Sequence, residues 1–284
     1  MLAIIDGDVL AYQACRARWG NTITQDNVRV RELDDDGRII QDAYSKEQDA
    51  QYMRDSWKNF QQDLGDLLET VFADDYVMAV KGDGDFRKLL YPDYKMNRHG
   101  DDVAKRYISD FVPAIRQLAV LSDIAIPANM CEADDLVRIW AEEARAAGQD
   151  FVICSIDKDL RCIPGLHYVM HTDPKKRGPL TVTEDEATRF YYAQLIMGDP
   201  TDKIPGVPRV GPVKANAMIA GCESVEEMQE AVVRAYLKAY PIEEHGPNGW
   251  FEQFLLNGKL IHIQTRWDDY FECHKWPIIQ ELRG

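Results

Sequence analysis

The sequence predicts an α/β fold: a mostly parallel central sheet flanked by helices, followed by a helical lobe at the C-terminal end. Three observations predict it. Short apolar runs alternate with amphipathic helical patterns, an aspartate stands at or just beyond the end of each main run, and a Gly/Pro-rich knot interrupts an otherwise helical stretch after residue 180. Strands that alternate with helices pair in parallel and are covered on both faces, so they read as continuous apolar runs.

LAIID (2–6), YVMAV (76–80) and FVICSI (151–156) read as buried strands, and HYVM (167–170) as a weaker fourth. Ser45-Lys46-Glu47-Gln48 has the form of a capping box and opens an amphipathic stretch to about Phe72. A second helix runs from Glu132 to Ala147, with Leu136, Ile139, Trp140 and Ala144 on one face and Gly148 as its stop. Residues 22–43 break the pattern. There VRVREL and RII flank DDDG, which reads as a small β-hairpin insertion whose aspartates form a solvated turn. The core is expected over 1–180, and the helical lobe over 181–284.

With 284 residues, 45% hydrophobic and 10% aromatic, the chain is able to bury a substantial core. No apolar run approaches the roughly 20 residues of a membrane span. The N-terminus lacks a basic stretch ahead of its apolar residues, which argues against a signal peptide. The six cysteines contain no CxxC pair and read as buried reduced thiols. A cytoplasmic chain is expected. Its net charge of −15, from 48 acidic and 33 basic residues, argues against tight non-specific duplex binding. A multi-metal site, however, needs many carboxylates, and bound cations reverse the local field.

The placement of the acids carries the chemistry. Asp6 ends the first strand, Asp83 follows the second, and Asp157 and Asp159 follow the third. Ligands of open parallel sheets bind beyond the carboxyl ends of the strands, so these acids converge on one edge. Glu132, Asp134 and Asp135 open the helix before the third strand, and Asp199 and Asp202 follow a helix at 188–197. Hard divalent cations such as Mg2+ or Mn2+ take oxygen ligands, one or two carboxylates per ion. This set exceeds what one ion needs, and two ions about 4 Å apart on a phosphodiester account for it. Taken singly, the acids also fit helix first turns and strand-to-helix turns. LAIIDGDV fits a rival class as well, a haloacid-dehalogenase-type phosphatase with Asp6 as nucleophile and Asp8 as its acid/base partner.

Three segments decide against that rival. FRKLLYPDYKMNRHG sets Arg87, Lys88, Lys95 and Arg98 after the second strand to meet a phosphate, with Tyr91 and Tyr94 available to stack. MCEADDLV packs three acids against an apolar helix. DKIPGVPRVGPVKANAMI, about 203–220, has the form of a helix-hairpin-helix, in which Gly206 and Gly211 let backbone N–H groups approach a phosphate beside Arg209 and Lys214.

In order along the chain, IIDGDVLAYQA, FRKLLYPDYKMNR, CEADDLV, VICSIDKDLRCIP and IMGDPTDKIPGV resemble the 5′-nuclease (flap endonuclease) superfamily, most closely the 5′–3′ exonucleases of T7-like bacteriophages. The resemblance implies a PIN-like core with an arch or clamp at about 86–130. It also implies two Mg2+ (or Mn2+) per active site and hydrolysis of DNA near a 5′ end, with RNA in RNA–DNA hybrids as a further substrate. Asp6, Asp83, Glu132 and Asp134 would surround one metal. Asp135, Asp157, Asp159, Asp199 and Asp202 would serve the second, while Lys95 and Arg98 would meet the scissile phosphate. A monomer acting in phage DNA replication or recombination, in host cytoplasm, is the implied setting.

The sequence departs from the family pattern in two places. Arg209 replaces the middle glycine of the hairpin's G-[IV]-x-G-[IV]-G, and Val213 stands where a lysine is usual, with Lys214 one place later. These changes put a monovalent cation at the hairpin carbonyls in doubt. Asp83 also lies unusually close to Phe86-Arg87, which leaves Asp85 as its alternative. The segment 22–43 and the last 50 or so residues are the parts least covered by the resemblance.

Overall fold

A computed structural model describes residues 1–19, 30–33, 39–43, 46–96 and 110–283. In chain order the first elements are β1 (Leu2–Asp6), α1 (Gly7–Trp19), β2 (Val30–Leu33), β3 (Ile39–Ala43), α2 (Lys46–Thr70), β4 (Asp75–Lys81), α3 (Phe86–Leu90), α4 (Val112–Leu121), β5 (Ile126–Ala128) and α5 (Ala133–Ala146). There follow β6 (Phe151–Ser155), β7 (Gly165–Val169), β8 (Gly178–Val182), α6 (Glu184–Met197), α7 (Pro212–Ile219), α8 (Val225–Ala239), α9 (Ile242–His245), α10 (Gly249–Ile261) and α11 (Pro277–Arg283). Two units form. One comprises Met1–Asp83, Gly100–Ile156 and Leu166–Leu180; the other comprises Gly84–His99, Asp157–Gly165 and Thr181–Gly284.

The first unit is organised by a six-stranded sheet in the order β5-β4-β1-β6-β7-β8. The pairings β1–β4, β1–β6, β4–β5 and β6–β7 are all parallel. β1 is buried along its whole length, as its unbroken apolar run requires. Alternate residues serve opposite faces. Ala3, Ile5, Met78, Val80, Val152 and Cys154 share a core with Leu10 and Ala14 of α1, Phe60 of α2 and Ile115 of α4. α5 packs against β1, β4 and β6 outside that core, burying Leu136, Val137 and Ile139. Each such large side chain contributes about 1.5–3 kcal/mol by leaving water.

Gly7 lets α1 start directly from β1, because a Cβ there would meet Met78 Cγ at 2.7 Å and Val80 Cγ1 at 2.8 Å. The register sets Asp6 opposite Ala79 and Ile5 opposite Cys154, so Asp6 and Ser155 are neighbours at the carboxyl edge.

The expected helix to Phe72 is α2, ending at Thr70, and its capping residue Ser45 lies outside the described residues. Within the segment 22–43, β2 and β3 form an antiparallel pair; residues 22–29 and 34–38, with the expected DDDG turn, lie outside the described set. Two strands went unpredicted, β5 (IPA) and β8 (GPLTV). Both contain a proline and stand at the ends of the sheet order, where a missing N–H leaves no ladder bond unmade.

The second unit buries Tyr192, Leu195 and Ile196 of α6, Val232 and Tyr236 of α8, and Trp250 and Phe254 of α10 in its own core. α6 starts at Glu184, ahead of the expected 188, because Thr183 and Glu186 form a capping box. None of the six cysteines forms a disulfide, and Cys222 alone among them is partly exposed. Among the described residues, no helix is long and apolar enough to cross a membrane.

Candidate metal centre

In the first unit Asp6 is 6% exposed. Its Oδ2 accepts the Ser155 hydroxyl at 2.8 Å, and its Oδ1 accepts the Asp8 amide at 3.2 Å. Asp8, in the first turn of α1, accepts the Lys81 amide at 3.0 Å and pairs with Arg116 at 2.7 Å. An acid held this way is ill suited to the proton transfers of the phosphatase reading. Asp83 follows β4 with an exposed side chain. Its backbone is fixed by Asn129 Oδ1 at 3.0 Å and by the Met130 amide at 2.7 Å. Asp85 instead caps α3 by accepting the Arg87 amide at 2.9 Å. Glu132 caps α5, and fully buried Asp135 accepts the Glu132 amide at 2.9 Å, which ties one of its oxygens to the helix end. Asp134 is half-buried in the same turn.

In the second unit a tighter group forms. Asp159, Asp199 and Asp202 present carboxylate oxygens all within 4.8 Å of one another, the one such trio among the described residues. Asp199 and Asp202 are 4% and 6% exposed. Lys158 Nζ lies 3.1 Å from Asp199 and 3.5 Å from Asp159, and Lys95 Nζ lies 3.6 Å from Asp202. Gln194 Nε2 donates to Asp159 at 2.7 Å, and Asp157 accepts the Asp159 amide at 2.9 Å. Burial, then the neighbouring Asp157, pushes the Asp159 carboxyl up to about 6. Burial also pushes Asp199 upward, but Lys158 and the Thr201 amide outweigh it and hold this acid below the usual range. Such an oxygen-only donor set suits a hard divalent cation, whose charge would relieve the crowding of like charges.

The loop carrying Asp199 and Asp202 is set by two glycines. Gly198 and Gly206 both have positive φ, 66° and 62°, and their backbones pass so closely that a Cβ on either would strike main-chain atoms of the other. Gly206 also donates its amide to buried Asn257, at 3.4 Å, so it is not the phosphate contact the hairpin pattern suggested. Exposed Gly211 caps α7. Exposed Arg209 keeps a left-handed backbone at φ 64°, and Lys214 Nζ donates to its carbonyl at 3.2 Å.

Two further expectations require correction. Arg87, expected at a phosphate, is 1% exposed and gives its guanidinium to the carbonyls of Leu260 and His262. Tyr94, expected to stack on substrate, is 3% exposed within the second unit's core. Burial of a loop residue depends on partners far along the chain, which local pattern does not reveal. Lys88 is exposed, and Arg98 lies outside the described residues, as does 97–109 of the expected arch. Sequence reasoning missed Ser155, Lys158 and Gln194. Lys158 had a visible signal, a lone cation inside the acidic turn SIDKD. Removing the hydroxyl in Ser155→Ala is expected to cost about 1–3 kcal/mol, because buried Asp6 loses a donor. Urea unfolding without metal would check this, and unchanged stability would make the contact unimportant.

The family model for the 5′–3′ exonuclease N-terminal resolvase-like domain matches residues 1–189. Flap endonuclease Xni of Shewanella sediminis is 27% identical over 197 residues, covering 66% of this chain and 74% of that protein. DNA polymerase I of Streptococcus pneumoniae serotype 4 is 30% identical over 227 residues, and that of Rhizobium leguminosarum 31% over 139. The chain spans 24% and 14% of the lengths of these two polymerases. Among solved structures, a zinc-bound bacteriophage T5 5′-exonuclease matches with a TM-score of 0.55 and 14% identity, over 92% of this chain and 99% of that one. Nothing in these matches supports the phosphatase reading. Fold and matches together define a nuclease with a mostly parallel α/β core. The chain belongs to the 5′–3′ exonuclease family.

Proposed function

We propose that the chain hydrolyses DNA phosphodiesters near a 5′ end, as an exonuclease or flap endonuclease that uses two divalent cations. The observation that carries the metal dependence is the oxygen-only trio Asp159, Asp199 and Asp202. Asp6, Asp83, Glu132 and Asp134 would hold one Mg2+ or Mn2+, and the trio, with Asp157 and Asp135, the other or its water shell. When bound, such cations lower the pKa of an attacking water and offset charge on the departing 3′-oxygen. The chain's own residues do the rest. Ser155 and the Asp8 amide fix the Asp6 carboxylate, and Gln194 fixes Asp159. Lys95 and Arg98 would take the phosphate, while exposed Lys88, Arg209, Gly211 and Lys214 would grip duplex backbone without reading sequence. DNA is the partner, with RNA–DNA hybrid as a second substrate. The relatives reported above are bacterial and the matched structure is from a phage, and we assign a role in DNA replication or recombination to a cytoplasmic monomer.

Incubation with a 5′-labelled duplex and a 5′-flap substrate, in Mg2+ and in EDTA, tests this reading. The expected result is metal-dependent release of short 5′-labelled products. Equal cleavage in EDTA, or turnover of a small phosphomonoester in place of DNA, would overturn it.

A further inference from the structure

The C-terminal segment without a recognisable motif builds a surface of its own in the second unit. Buried Arg87 clamps α3 to the end of α10: its Nε donates to the Leu260 carbonyl at 3.1 Å and its Nη2 to that of His262 at 2.6 Å. Its guanidinium also lies 4.5 Å from the centre of the Phe86 ring. Just beyond, Asp269 is tied to its own loop. Its Oδ2 takes the Thr265 hydroxyl at 2.6 Å and the Thr265 amide at 3.1 Å, and it meets His262 Nε2 at 3.1 Å. With that acid engaged, the loop shows exposed Arg266, Trp267 (60% exposed) and Tyr270 (48% exposed) to solvent, beside exposed Asp268. Tyr270 stands edge-on to Phe86, with centroids 5.3 Å apart at 83°.

An exposed tryptophan leaves unused about 25 cal/mol for every Å² it does not bury. Here it sits on a loop whose shape is fixed by the Asp269 bonds, so its exposure is built in. Exposed aromatic rings next in sequence to the Arg266 guanidinium, on a chain of the 5′–3′ exonuclease family, match a base with its phosphate better than an apolar protein patch.

We propose that Trp267 and Tyr270, with Arg266, bind unpaired nucleotides by stacking and phosphate contact. This rests on the nuclease reading and adds to it a site made of neither the acids nor the hairpin.

The test is binding in EDTA, where cleavage is blocked, of a labelled oligothymidylate and a blunt duplex of equal length. Trp267→Ala is expected to weaken oligothymidylate binding roughly tenfold, with Trp267→Phe recovering most of it, while duplex binding stays unchanged. Arg266→Ala is expected to lower the salt dependence of strand binding by about one ion. Unaltered strand binding in Trp267→Ala, or equal losses on strand and duplex, would overturn the proposal while leaving the nuclease reading intact. Self-association that disappears in Trp267→Ala, with strand binding unaffected, would make the surface a protein interface instead. A wild-type protein that neither binds nor cuts DNA would remove the nuclease reading itself.

Discussion

Asp199→Asn is expected to cut metal-dependent cleavage by about a thousandfold, equivalent to about 4 kcal/mol at 1.36 kcal/mol per factor of ten. The substitution isolates charge from structure. Asp199 caps the 3-10 turn Pro200–Asp202 by accepting the Thr201 amide at 2.7 Å, and asparagine caps equally well. Its backbone bonds with Ile204, at 3.0 and 2.8 Å, do not involve the side chain. Lys158 loses one partner, but its side chain is 55% exposed and water compensates it cheaply. A folded variant with near-normal single-turnover rates at saturating Mg2+ would remove Asp199 from the ligand set. Asp134→Asn applies the same logic to the first unit, where the Glu132–Asp135 cap stays intact.

Gly206→Ala carries the largest expected loss of stability, about 2–5 kcal/mol. Its φ of 62° disfavours any side chain by about 1–2 kcal/mol, and overpacking adds about 1–3 kcal/mol. The obstacles are main-chain atoms, Met197 C at 2.3 Å and Gly198 N at 2.5 Å, so no rotamer change relieves them. The loop bearing Asp199 and Asp202 would then have to open, and a thermal melt would show a markedly lower midpoint. A midpoint within a degree of wild type would mean the crossing is looser than its distances indicate. Arg209, at φ 64° but exposed, marks the contrast: a left-handed backbone is tolerable where nothing is packed against the Cβ.

The parts of the sheet that were legible are those whose burial leaves a mark in the residues themselves. β1, β4 and β6 are central strands covered on both faces, so their apolar runs show without any alignment, and their terminal acids follow from parallel pairing. β5 and β8 lie at the ends of the sheet order, where a proline and fewer apolar residues erase that mark. The trio of acids was named, but its compensation was not. Lys158 had its signal in SIDKD, but Gln194, and Ser155 beside Asp6, become visible only when segments distant in sequence meet, as Gln194 and Asp159 do at 2.7 Å. Arg87 and Tyr94 were misjudged for a related reason. A basic or aromatic residue near an acid looks like a substrate contact, whereas here Leu260 and His262, far along the chain, supply the carbonyls that bury the arginine.

The central position of β1 shapes how the molecule is made. Its two neighbours are β4, starting at Asp75, and β6, starting at Phe151, so its ladders join residues far apart in sequence. At about 5–20 residues per second, a ribosome takes roughly 7–30 seconds to reach the second partner. Through that interval one edge of a strand apolar up to its closing aspartate stays unpaired. Long-range parallel pairing is intrinsically slow to form, which makes this waiting strand the most aggregation-prone stage of biogenesis. The aspartate that closes the strand, and the helix that starts on the very next residue, give the nascent segment charge and local structure before its sheet exists.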